Sequence, residues 1–218
     1  MGRFGRRFAV VVLAGWFGFA ASGCYLPHLG VWLFGPRKIT KEVKAEHRLE
    51  SERLVIVPYA GTDVLFTYPM APIEISQALV NEIGQNLSDR VETIIHPVQV
   101  VRWQESTLDW PNMSLAEIGG HFQADTVLYV ELERYTMVEE RSANLFRGRA
   151  KARVQVVKVE AEHNPVYEAT VEIVVPEDQP VSVLETSERI IRQVTNLLFA
   201  RDVVRKFYDH KVEVKGGG

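Results

Sequence analysis

Side chains able to do chemistry are few in this chain and poorly grouped. Six histidines, at 28, 47, 96, 121, 163 and 210, lie scattered without the spacing of a metal site. His121 stands four residues before Asp125 near an expected strand start, which reads as a hydrogen-bonded pair rather than a catalytic one. Nucleophile elbows, Walker loops and HExxH motifs are absent, so no catalytic residue, metal or cofactor is expected. Arg147, Arg149, Lys151 and Arg153 alternate along one segment and could grip phosphate. Glu131 and Glu133 before them and Glu168 and Glu172 after them should face them across strand pairs, each pair worth about 0.2–1 kcal/mol, which neutralises the comb. Two loops carry aromatic pairs, Phe66 with Tyr68 and Trp103 with Trp110. Rings of this kind anchor protein interfaces, and these four are the candidate partner-binding residues.

The single cysteine, Cys24, excludes a disulfide framework, and its setting matters more than its number. Arg3, Arg6 and Arg7 precede an uncharged run from Phe8 to Ala21, and Ala21, Ser22 and Gly23 lead into Cys24. This is the layout of a bacterial export signal. Ala-Ser-Gly-Cys resembles a lipobox, with Ala21 where that pattern prefers Leu. The resemblance implies that Cys24 takes a diacylglyceryl group on sulfur and becomes the new N-terminus. Two or three acyl chains hold stably because each buried methylene contributes about 0.8 kcal/mol. Two other readings stay open. No charge occurs between Arg7 and Arg37, and about 20 apolar residues suffice for an uncleaved membrane helix, although Pro27 and His28 interrupt this one. The chain could also be simply secreted, with Cys24 a free thiol. Tyr25, rather than Asp, follows the cysteine, which resembles the default for sorting to the outer membrane.

Removing residues 1–24 leaves 22 basic against 28 acidic side chains, a net charge of −6, which argues against nucleic acid as a partner. At 218 residues, with 46% hydrophobic and 24% charged, the chain is long enough for one ordinary core and too polar for a multi-span membrane protein. The expected organisation is a lipoprotein signal peptide (1–23), a lipidated N-terminus and tether (24–53), an α/β domain (54–210) and a flexible tail (211–218). Within the tether, residues 25–36 are apolar and aromatic, while residues 37–53 mix charges as a solvated helix or a spacer would.

The elements that must carry these residues follow from periodicity. Leu54 to Val57, closed by Pro58, reads as a strand buried on both faces. Ile75, Leu79, Ile83 and Leu87 share one face of a helix over 73–87. Ile94 and Ile95, with Val98 to Val101, predict a strand broken at Pro97. Ser114 and Glu117 form a capping box for a short helix that Gly119 and Gly120 weaken. From Ala124 the pattern alternates, with Leu128, Val130 and Leu132 on one face and Tyr129, Glu131, Glu133 and Tyr135 on the other. Segments 145–159 and 166–175 continue it as a three-strand meander, turning at His163, Asn164 and Pro165. Glu185 to Tyr208 is the longest helical stretch, with Ile190, Ile191, Val194, Leu197, Leu198, Val203 and Phe207 expected against the sheet. The fold class is therefore α/β: one domain, a mixed sheet with an antiparallel three-strand meander, and helices packed on it.

That order of elements, with LVIVPY, FQADTVLYVELERY and NPVYEATVEI, resembles the bacterial lipoproteins related to curli-secretion assembly subunits, penicillin-binding-protein activators and meningococcal-type periplasmic lipoproteins, over residues 54–208. The resemblance implies a non-enzymatic envelope protein, lipid-anchored on the periplasmic face of the outer membrane, that binds or assembles an unidentified envelope protein and can oligomerise. The alternatives are a subunit of an oligomeric secretion channel and an auxiliary lipoprotein of an envelope transporter. A channel subunit needs two amphipathic hairpins with apolar outer faces. This chain offers one, residues 126–160, and its outer face is charged.

Overall fold

The structure, a computed structural model, describes residues 39–161 and 164–214. The order is β1 (Ile39–Val43), β2 (Ser51–Ala60), α1 (Thr62–Thr67), α2 (Ala71–Asn86), β3 (Val91–Ile94), α3 (Pro97–Ser106), α4 (Leu115–His121), β4 (Thr126–Val138), β5 (Leu145–Lys158), β6 (Tyr167–Val175), β7 (Val181–Ser182), α5 (Glu188–Arg205) and β8 (His210–Val214). The main sheet runs β3-β2-β4-β5-β6, with β7 also on β5, while β1 and β8 make a separate two-stranded sheet. β2 is parallel to both β3 and β4, whereas β4, β5 and β6 form the antiparallel meander. This is the expected α/β architecture with a mixed sheet.

Leu54 to Val57 are fully buried and face alternate cores. Leu54 and Ile56 join α2, α5 and the inner face of the meander. Val55 and Val57 join Val100 of α3 and Ile118 of α4 on the other side. Two helical layers therefore cover the parallel strands. Strand β2 does not stop at Pro58 but continues to Ala60. The ring is tolerated because β3 accompanies β2 only as far as Leu54. The Pro58 carbonyl accepts from Gln104 Nε2 at 2.8 Å. Proline thus sits where no ladder partner awaits its missing N–H.

Other expectations are corrected. Residues 97–106 form a helix, not the second part of a broken strand. His96 caps it, its Nδ1 accepting from the Val98 N–H at 3.3 Å, and Pro97 fits the first helical turn, where its missing donor costs nothing. Tyr135 faces the core rather than water, because a bulge between Leu132 and Arg134 shifts the register and places it opposite Ala150. Residues 37–53 are not a solvated helix: within their described part lie β1 and the buried Leu49. The Glu46 and His47 N–H groups donate to the Lys206 carbonyl, and Glu46 accepts from Lys206 Nζ at 2.7 Å and from the Tyr167 hydroxyl at 2.6 Å. Residues 211–214, expected as flexible tail, belong to β8. The signal peptide, Cys24 and His163 of the expected turn lie outside the described residues.

Small residues set two close approaches. A side chain on Gly119 would strike Val159 and come within 2.8 Å of Val127, so the glycine that weakens α4 is what lets it lie on the sheet. Gly148 is equally tight against Thr195 of α5. The Gln-Ala-Asp step joins α4 to β4. Gln123 takes a left-handed turn, φ 52°, and the Ala124 N–H returns to the Gly119 carbonyl at 2.9 Å. Asp125 then accepts from Ser51 Oγ at 2.6 Å and the Arg53 N–H at 2.8 Å, tying the starts of β2 and β4 together. Burial alone would raise the Asp125 carboxyl, but the bonds from Ser51, Arg53 and Thr126, with Lys158 nearby, outweigh it and hold it below its ordinary value.

Candidate functional site

The connections leaving β2 and β3 go to opposite faces: β2 feeds α2 over one core, and β3 feeds α3 and α4 over the other. Strand ends that diverge in this way leave a crevice beyond their carboxyl termini, where ligands of open α/β sheets characteristically bind. Here a groove of about 590 Å³ occupies that position. Its floor is the end of β2, Pro58 to Ala60. One wall is α1 with the Pro69–Met70 turn and the start of α2, and the other is α3 with Trp110 and Pro111. Tyr59 meets Trp110 edge to face at 5.7 Å, closing the floor beside α3.

The lip is apolar and exposed. Leu65 is 39% exposed and Met70 56%, and next to them on α1 Phe66 is 90% exposed. Leu108, between α3 and Trp110, is 91% exposed. The lining contributes few polar groups: Thr62, Arg102, Glu105 and Gln104, the last bound to Pro58.

The four sequence-derived candidates divide. Phe66 stands free beside the groove, and Trp110 lines it. Trp103 lies 6.5 Å from Trp110 but turns away, stacking on His121 at 5.0 Å and meeting Phe122 at 5.3 Å, half-buried over the second core. Tyr68 is a core residue, 6% exposed, whose hydroxyl accepts from the Met137 N–H at 3.0 Å. Its ring meets Tyr135 edge to face at 5.2 Å inside the core and is not available at the surface. Leu65, Met70, Val98 and Val101 were missed as site residues. The available signal was the pair Leu65-Phe66 between Gly61 and Pro69, too short a segment to set a core-facing period.

The remaining chemistry is dispersed. His121 packs on Trp103 and does not pair with Asp125, which is committed to Ser51 and Arg53. His47 stacks on Tyr167 at 5.5 Å, and burial followed by the nearby Lys158 charge keeps its imidazole below the ordinary value. Among the described residues no three His, Cys, Asp or Glu side chains are placed to hold a metal, and no helix is long and apolar enough to cross a membrane.

The basic comb is paired. Arg153 meets Glu131, its Nε 3.0 Å from Oε2, and Lys151 meets Glu133 at 3.0 Å. Arg149 and Arg147 share Glu139, at 2.8 and 3.6 Å. Glu168 takes Gln155 rather than a cation, at 2.7 Å.

No protein-family model matches this chain, and no characterised protein matches it in sequence. Among solved structures it is similar to a PelC dodecamer from Paraburkholderia phytofirmans, in a single-substitution form, at 10% identity and a TM-score of 0.47, over 78% of this chain and 98% of that one. It is similar to a lipoprotein from Neisseria meningitidis at 12% identity and 0.45, covering 66% and 99%. A protein from Xanthomonas campestris matches at 9% identity and 0.41, covering 72% and 81%. Identities and scores this low carry neither function nor assembly from those proteins to this one.

Proposed function

We propose that this chain is a non-enzymatic protein of the bacterial envelope, held by lipid on Cys24 to the periplasmic face of the outer membrane, that binds or helps to assemble another envelope protein. The observation that carries the binding role is the groove at the end of β2, whose apolar lip leaves Leu65 and Met70 in water, with the exposed Phe66 next to Leu65 on α1. Exposed apolar surface gathered around a concave site marks a place where a partner sits. The leader ending in Ala-Ser-Gly-Cys supports the anchor. Ion pairs across the wet face of the meander support a water-facing role over a membrane-barrel one, because that face would meet lipid in a channel wall.

The test combines location and contact. Cells carrying a palmitate analogue express the wild type and Cys24→Ala, each with a photo-crosslinking residue at Met70 in the groove or at Thr170 on the meander. Label on the wild type alone, in the outer-membrane fraction, with a protein adduct from position 70 and none from 170, is the expected result. An unlabelled wild type would sink the anchor, and adducts from position 170 alone would move the binding role to the meander.

A further inference from the structure

We propose that the groove at the end of β2 receives an apolar peptide segment flanked by Lys or Arg, belonging to the partner protein. The inference rests on the binding role given above and goes further by specifying the partner's chemistry. Three observations converge on it.

The first is the spread of apolar surface. Leu65 and Met70 form the lip, and Phe66 and Leu108 stand outside it at 90% and 91% exposed. A small molecule held in the groove would leave those two side chains wet. A peptide crossing the groove covers them, in the manner of anchor residues set in a pocket and ringed by neighbours that exclude water.

The second is charge. The charged side chains on the segments that form the groove, residues 58–73 and 97–111, are Asp63 on α1, Arg102 and Glu105 on α3 and Asp109 in the following loop; all are exposed, and Arg102 and Glu105 line the groove itself. Three carboxylates against one guanidinium give the rim a negative field. Charged rims of this kind steer encounter and set register, so the complementary partner is cationic beside its apolar anchors.

The third is the backbone. Pro58 has no N–H to offer, and its carbonyl already takes the Gln104 side chain. An incoming strand finds no donor at Pro58, which favours recognition through side chains dropped into the groove over a strand ladder.

The test uses the full chain in lipid nanodiscs and fluorescent synthetic peptides with a Leu, Phe and Met centre flanked by lysines or by glutamates. The lysine-flanked peptide should bind about tenfold more tightly at low salt, and the gap should close near 0.5 M salt, where the screening length falls to a few ångströms. Changing Glu105→Lys and Asp109→Lys together should reverse the preference. Met70→Asp should abolish binding of both peptides, and Leu197→Asp, on the exposed stripe of α5, should leave binding unchanged. All these positions are exposed, and circular dichroism of each variant confirms the fold.

Equal binding of the two peptides overturns the charge inference. So does tight binding to phosphatidylcholine vesicles that Phe66→Ser removes, since a lipid surface would then be the occupant. Failure of both peptides alongside a protein adduct at position 70 overturns the inference while the binding role stands. Failure of both with no adduct overturns the binding role itself.

Discussion

Strand β4 lies between β2, parallel to it, and β5, antiparallel to it, and the two halves of the sheet that meet there are covered differently. On the β2 side, helices close both faces: α2 on one, α3 with α4 on the other. On the β5 side only one face is dry, and the other carries cross-strand ion pairs, Lys151 with Glu133 and Arg153 with Glu131 open to water and Arg149 with Glu139 largely covered. Local sequence follows the cover. Val55 to Val57 are apolar at every position, whereas from Gly148 to Val154 small or apolar residues alternate with Arg149, Lys151 and Arg153. The doubly covered half has divergent connections, and therefore the crevice. The singly covered half has antiparallel pairing and a face whose charges already answer one another. The proposed binding site belongs to the first half and surface solvation to the second.

The largest expected effect strikes the dry face of the meander. Phe199 of α5 is completely buried there, and Phe199→Ala should cost about 3–5 kcal/mol, read from urea unfolding. A loss under about 1 kcal/mol would mean that the antiparallel half stands without its helix. Next comes Gly148→Ala, whose added methyl meets Thr195 and lies 3.1 Å from Ile191, with an expected cost of about 1–3 kcal/mol. Thr195→Ala in the same chain should return part of that loss, and strict additivity would show that the clash relaxes elsewhere.

A smaller effect concerns the seam of the parallel half. The Asp125 carboxyl is lowered in the folded state, so its stabilising contribution is full above the ordinary carboxylate range and drains away as pH falls through the folded value. Urea midpoints measured between about pH 7 and pH 3 should therefore fall less steeply for Asp125→Asn than for the wild type. Identical slopes would remove Asp125 from the acid response. The smallest effect belongs to the wet face. A double-mutant cycle on Arg153 and Glu131 should give about 0.2–1 kcal/mol of coupling, shrinking with salt. Coupling that survives high salt would show that this face is less open to water than its exposure implies.

Where one physical rule governed a segment, the sequence reported it well. The four-residue stripe of α2, the capping box at Ser114 and the alternation of β5 each answer to a single period or motif. Where two rules competed, the wrong one could be chosen. Val98 to Val101 favours a strand by composition, yet a capping histidine followed by proline starts a helix. Tyr135 obeys alternation until one bulge reverses it. Ile190, Val194 and Leu197 keep helical spacing but lie on the outer side of α5, because Ile191, Phe199 and Val203 form the stripe that the sheet receives. The groove was legible only in part. Phe66 and Trp110 stand out by type, whereas its floor and walls exist only because connections from neighbouring strands part company.

The bonds made by residues 44–49 also have a mechanical side. Any pull applied to the chain upstream of Lys44 reaches Asp209 through Lys44 at 3.2 Å and the Ala45 N–H at 2.9 Å, then Lys206 and Tyr167 through Glu46, before it loads the first residue of β2. Traction is thus shared between the far end of α5 and the outermost strand of the meander. Peeling of β2, and with it distortion of the groove floor, would require those fastenings to fail first.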